Sequence, residues 1–133
     1  MDSEQKIHKG RPFGGIAILW KKSQGPDIKI VEYDDNRLLG EELTVNGEHI
    51  SFINVYLPYD CSDNTDLYLS YLAKLSNIID CFPSPYVYII GDFNANLSLD
   101  SNNLVSSNHG KELLEFCDLE NLMISDVIHL EED

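Results

Sequence analysis

Apolar and polar positions alternate between two periods along this chain. Gly14-Gly15 lead into Ile16-Ala17-Ile18-Leu19-Trp20, a short apolar run closed by Lys21-Lys22. Such a run predicts a buried strand. Gln24-Gly25-Pro26-Asp27 is a turn, and Ile28 to Tyr33 alternates as a second strand. Arg37 to Val45 and Glu48 to Leu57 then flank Asn46-Gly47. Asn-Gly between two strand patterns predicts a hairpin, because both turn residues must take positive φ. The second arm is rich in β-branched and aromatic residues, and Pro58 ends it.

The period then changes. After a polar loop from Asp60 to Asp66, with Asn64 or Thr65 placed to cap, Tyr68, Leu72, Leu75, Ile79 and Phe82 fall on one helical stripe. Pro83 and Pro85 stop that helix. Tyr86-Val87-Tyr88-Ile89-Ile90 is a near-continuous β run, which predicts a central strand. A polar loop, 94–107, leads to a second helix capped by Ser107 or Asn108, with Leu113, Leu114, Phe116, Cys117 and Leu119 on its buried side. Leu122-Met123-Ile124-Ser125 reads as a last strand. Hairpins mixed with helical crossovers predict an α/β fold with a sheet-on-sheet core and helices outside, and strands at either end of the pattern leave open edges.

Composition narrows the function classes. The chain has 133 residues, enough for one domain with a sizeable core. The expected layout is a loose polar segment over 1–12, a domain over 13–127, and an acidic tail over 128–133. Net charge is −14. Residues 1–37 carry seven Lys/Arg and a net of +1, whereas the rest carry only Lys74 and Lys111 and a net of −15. This balance argues against a free-standing nucleic-acid binder, since phosphate contacts need cations. It fits a solvated acidic surface. It also fits a protein that gathers divalent cations. Cys61, Cys81 and Cys117 form no CxxC pair, so neither a disulfide framework nor a zinc site is expected. No apolar run reaches the length of a membrane span, and the polar N-terminus is not a signal peptide, so the expected compartment is nucleus or cytoplasm.

Gly91-Asp92-Phe93-Asn94 is the strongest chemical signal. A carboxylate at the end of a buried strand is held rigidly and faces a loop-lined cleft. Asp92 there suits a water-orienting base and a Mg²⁺ ligand, and Asn94 suits a hydrogen-bond donor to a phosphate oxygen. By itself the tetrapeptide equally fits a strand-ending turn closed by an Asx bond. His8, His49, His109 and His129 have no ligand spacing and read as surface or cap residues. Trp20-Lys21-Lys22 offers stacking and charge to a nucleic acid, with a solvated strand end as the commoner case.

The order of the elements carries a resemblance. Gly14-Gly15-Ile16-Ala17-Ile18-Leu19, then Asn54-Val55-Tyr56-Leu57-Pro58, then a helix, then Gly91-Asp92-Phe93-Asn94, then Asn108-His109-Gly110-Lys111-Glu112-Leu113-Leu114-Glu115-Phe116, resembles the endonuclease/exonuclease/phosphatase family. It looks most like the endonuclease domains of non-LTR retrotransposons, over about residues 11–127. The resemblance implies part of a four-layered α-β-β-α sandwich with mixed, largely antiparallel sheets, hydrolysing phosphate esters of DNA with Mg²⁺ or Mn²⁺. It implies that Asp92 activates water and contributes to the metal, that Asn94 holds the scissile phosphate, that the Tyr56 phenol faces it, and that Asn96 lies nearby. The family's early Asn and metal-ligand Glu would fall before residue 1, and its closing Ser-Asp-His has no match, since Ser125-Asp126-Val127 follows the second helix too soon. The resemblance therefore implies a partial set of groups and little activity from this chain alone. Two other functions fit the sequence: a non-catalytic interaction module that pairs with a partner or itself through open edges, and a phosphatase of the same fold.

Overall fold

The computed structural model describes residues 15–24, 27–31, 36–82, 84–97 and 107–125. The expected segments over 1–12 and 128–133 lie outside them, as do His8, His129 and Pro83. The fold is α/β. Its strands are β1 (Asp27–Val31), β2 (Leu38–Val45), β3 (Glu48–Tyr56) and β4 (Tyr86–Asp92), and its helices are α1 (Thr65–Cys81) and α2 (Asn108–Leu119). The strands form one mixed sheet in the order β1-β2-β3-β4. β1, β2 and β3 pair antiparallel, and β4 runs parallel to β3. Parallel neighbours need a crossover, and α1 supplies it.

The hairpin forms as its turn chemistry predicts. Asn46 and Gly47 take φ of 51° and 82°, and Val45 pairs with Glu48 across them. Alternation then sorts the sheet into two faces. Leu38, Ile53 and Val55 are buried on one face, together with Tyr68, Tyr71, Leu72, Leu75 and Ile78 of α1 and Leu113 and Phe116 of α2. Both helices therefore pack on the same face. The α1 stripe is wider than expected, because Tyr71 and Ile78 join it while Ile79 is only half-buried. On α2 the expectation fails at Leu114 and Leu119, both exposed. His109 and Gly110 take the inner positions one turn before Leu113 instead.

The other face differs. Ile30, Tyr86, Tyr88 and Ile90 are each about half exposed there, and Phe52 stacks on Tyr88 at 5.3 Å. The segment 15–21 lies on this side, where the Asn54 amide donates to the Ala17 carbonyl at 3.0 Å. Ile16 and Ile18 are half-buried while Leu19 is almost fully exposed. This segment was expected to be a strand. It has no ladder partner among the described residues, and the first strand of the sheet is β1. Residues 122–124 are likewise not a strand. Nor is β4 central, for among the described residues it pairs on one side only. In each case an apolar run set the expectation, and a strand needs a partner as well as a pattern.

Caps follow the same division. Ser107 caps α2 by accepting from the Gly110 amide at 3.1 Å. Asn64 precedes α1 but makes no cap bond, since its amide reaches back to the Tyr59 carbonyl at 3.1 Å.

Glu41 is the misfit of the sheet, a carboxyl in β2 that is 3% exposed. Burial pushes its pKa up. A carboxyl raised on folding binds protons more readily in the folded state, so its contribution to stability is full below its unfolded pKa and is lost as pH rises through the folded one. Glu41→Gln should therefore raise the melting temperature at pH 7 and leave it unchanged near pH 3, as read by thermal unfolding across that range.

Candidate functional site

Two parallel strands end side by side at the place where the sequence puts its chemistry. Tyr56, the last residue of β3, pairs in register with Asp92, the last residue of β4. The two side chains therefore stand on the same face of the sheet. The β4 end is drawn in close by Gly91, which has φ of 142°. A Cβ there would lie 1.9 Å from the Val55 carbonyl oxygen and 2.9 Å from Asn54 Oδ1. Only glycine meets both the backbone angle and the space.

After Gly91 the chain is tied down at every step. The Leu57 amide donates to the Asp92 carbonyl at 2.9 Å, extending the pairing past the strands. The Asn94 amide donates to Asp92 Oδ1 at 3.0 Å. This is an Asx turn, and it leaves the left-handed angle to Asn94, at φ 44°. The Asn94 side chain donates to the Leu57 carbonyl at 2.8 Å. That bond uses one of the two hydrogens of its NH₂ group. The Tyr68 hydroxyl, from α1, donates to the Phe93 carbonyl at 2.9 Å. Burial, then the Asp60 charge, pushes the Tyr68 pKa up, which keeps this donor protonated.

Asn96 is held by α2. Its amide donates to Ser107 Oγ at 3.0 Å, and the Ser107 amide returns a bond to the Asn96 carbonyl at 3.3 Å. A Cβ on Gly110 would sit 2.1 Å from that same carbonyl oxygen, so the first turn of α2 bears directly on the loop. Ser107 thus caps its helix and anchors the loop with one hydroxyl.

An open cleft of about 1340 Å³ takes in Asp60, Asp92, Asn94 and Asn96 along with Ile89 and Phe116. Tyr56 stands outside its lining, on the far side of the β4 end. The Tyr56 phenol is instead covered by Arg37, whose guanidinium lies 5.1 Å from the ring centroid and donates to the Tyr56 carbonyl at 3.1 Å. The structure thus groups Asp92, Asn94 and Asn96 on one loop and brings Tyr56 to Asp92 by strand register.

One residue whose burial had no signal in the sequence joins them. His109 is fully buried, not the surface or cap residue expected. It stacks on Tyr68 with centroids 3.8 Å apart, and its Nε2 stands 3.9 Å from Asp60 Oδ1. Neither ring nitrogen has a hydrogen-bond partner among the described residues. Only the fold brings position 109 under position 68. The placement follows from Gly110, which lets the first turn of α2 press against the loop. His49, by contrast, stays exposed beside Glu42 at 3.0 Å.

Among the described residues, no three His, Cys, Asp or Glu gather to hold a metal ion. Among the same residues, no helix is long and apolar enough to cross a membrane.

Gly91→Ala should cost about 2–4 kcal/mol, because it adds a steric clash to a strained angle. Chemical denaturation would measure the loss. A cost under about 1 kcal/mol would mean that β4 does not approach β3 this closely.

No protein-family model matches the chain, and no curated protein matches it, so the site stands on its own geometry.

Proposed function

We propose that this chain carries the phosphate-facing edge of a phosphodiester hydrolase of the endonuclease/exonuclease/phosphatase kind, acting on DNA. The observation that supports this reading is Asp92 itself. Its carboxylate ends a parallel strand, is held through one oxygen by the Asn94 amide, and stands beside Tyr56. A carboxylate fixed in this way orients an attacking water and takes its proton. The Tyr56 phenol and the second hydrogen of the Asn94 amide are donors for the non-bridging oxygens, where charge grows during attack. The polar loop that holds Asn96 extends the same edge.

The resemblance implies Mg²⁺ or Mn²⁺. Asp92 is a suitable ligand, but the described residues bring no further pair of ligands to it. The described residues do not form that metal centre. Groups that act as a unit lose orders of magnitude in rate when one is missing, so the described set is a partial one. On this reading the exposed face with Tyr86, Tyr88 and Ile90 is an inner surface of a four-layered sandwich.

The expected outcome is little nicking of supercoiled plasmid by the purified chain in Mg²⁺. Whatever nicking occurs disappears with Asp92→Ala and with EDTA. Cleavage that survives either one removes this reading. Mn²⁺ gives a second readout, since its paramagnetism should broaden the NMR signals of residues 92–94 first; broadening confined to other carboxylates has the same effect.

A second reading is favoured by one observation. Among the described residues β4 is an edge, and its outer side chains are about half exposed. Such an edge accepts a further strand from a partner or a second copy. Light scattering should then show association that grows with concentration and weakens in Tyr88→Lys, which sets a charge on the edge strand. A protein that stays monomeric throughout overturns it.

A further inference from the structure

We propose that His109 is a positioning residue of the candidate site: a second proton on its ring pairs it with Asp60 and moves the loop at 93–96. The ring is fully buried, and neither nitrogen has a hydrogen-bond partner among the described residues. Burying an unpaired donor and an unpaired acceptor is costly, and native folds rarely keep such a group without a use for it. The Nε2 atom stands 3.9 Å from Asp60 Oδ1, just beyond hydrogen-bond reach. A ring protonated on both nitrogens donates from each. A charged pair of this kind closes to about 2.8 Å, which draws the ring toward Asp60 by about 1 Å.

That movement reaches the loop by two routes. Through the ring stack it bears on Tyr68, whose centroid is 3.8 Å away and whose hydroxyl holds the Phe93 carbonyl. Through the main chain it bears on Gly110, whose amide donates to Ser107 Oγ, and that oxygen also accepts from the Asn96 amide. His109 thus sits between two tethers of the segment that carries Asn94. The Asn94 amide is in turn the donor that holds the Asp92 carboxylate. The pairing also takes up the Asp60 carboxylate, which lines the same cleft as Asp92. An acid medium therefore removes one negative charge from the cleft wall and moves the loop in the same step.

The charges around the ring single out Asp60. Burial pushes the pKa of the Tyr68 hydroxyl and of the Cys117 thiol up, so neither carries charge near neutral pH. Residues 93–97 have no titratable side chain, and Asp92 before them is engaged by the Asn94 amide. On α2 itself Lys111 is exposed and Glu112 half-buried. A cation in the first turn of a helix is opposed by the helix dipole. The imidazolium therefore needs a close anion, and Asp60 supplies it. This pairing rests on the packing alone. Its bearing on ester hydrolysis rests on the hydrolase reading, in which a cleft with one carboxylate fewer receives a phosphate group more readily.

The test follows the full chain by NMR in EDTA from pH 8 to pH 5, the range in which imidazoles gain their second proton. The His109 ring signals and the backbone amides of residues 93–96 and 110 should change together, with one midpoint. Asp60→Asn, a change of equal size at a partly exposed position, should make the ring harder to protonate and abolish the amide response. Tyr68→Phe keeps the stack but cuts the tether to Phe93. The ring should then titrate while the amides of Phe93 and Asn94 stay still and those of Asn96 and Gly110 respond. Glu112→Gln should change nothing. Three results would overturn the proposal: a ring that takes no second proton while the chain is folded, which marks His109 as core packing; amides that stay still as the ring titrates; and a response lost in Glu112→Gln but kept in Asp60→Asn. The hydrolase reading fails on a separate observation. A full loop response beside nicking that survives Asp92→Ala keeps the pairing and removes the hydrolase; nicking abolished by Asp92→Ala beside a still loop does the reverse.

Discussion

The parallel contact between β3 and β4 is the constraint on which the rest depends. It is closest at Gly91, where the missing side chain lets β4 lie against the Val55 carbonyl. That approach allows Tyr56 and Asp92 to end in register, and it lets the Leu57 amide reach the Asp92 carbonyl beyond the strands. The turn at Asn94 then closes on both strands at once, through the Asp92 carboxylate and the Leu57 carbonyl. A wider spacing would break these bonds together. The position of Asp92 is therefore a property of a backbone contact more than of any side chain.

Helices turn that local geometry into a rigid one. α1 reaches the loop through the Tyr68 hydroxyl, and α2 reaches it through Ser107. The two helices are themselves joined where His109 stacks on Tyr68. The candidate site is thus supported from both helices on one side of the sheet. The second face sets Glu41 among Ile30, Phe52 and Tyr88 at its centre and carries Tyr56 and Asp92 at its end. A carboxylate fixed by backbone donors on a supported strand end is pre-organised, which is what lets one acid act on a bound ester.

Legibility in the sequence followed how local each cause was. The hairpin was legible because Asn46-Gly47 fixes its own turn. The α2 start was legible because Ser107 caps within one turn. Asp92 was legible because a glycine before a carboxylate marks a strand end. The apolar runs at 16–20 and 122–125 misled, because a run measures burial and pairing depends on a partner elsewhere in the chain. Leu119 misled because its helix ends as it turns to solvent, and Leu114 because it falls just off the inner stripe. His109 left no trace, since its burial depends on Tyr68, more than forty positions away in sequence.

Charge and geometry answer different questions about this chain. The net charge of −14 opposes long-range attraction to a polyanion. That attraction decays over about 8 Å in physiological salt. Within that distance the local arrangement governs, and here it sets Asp92, Asn94 and Asn96 along one cleft, with the Asp92 carboxylate held by the Asn94 amide. Fixed position, and not attraction from a distance, is therefore what this strand end offers a ligand, and that is the geometry that distinguishes a site from a sticky surface.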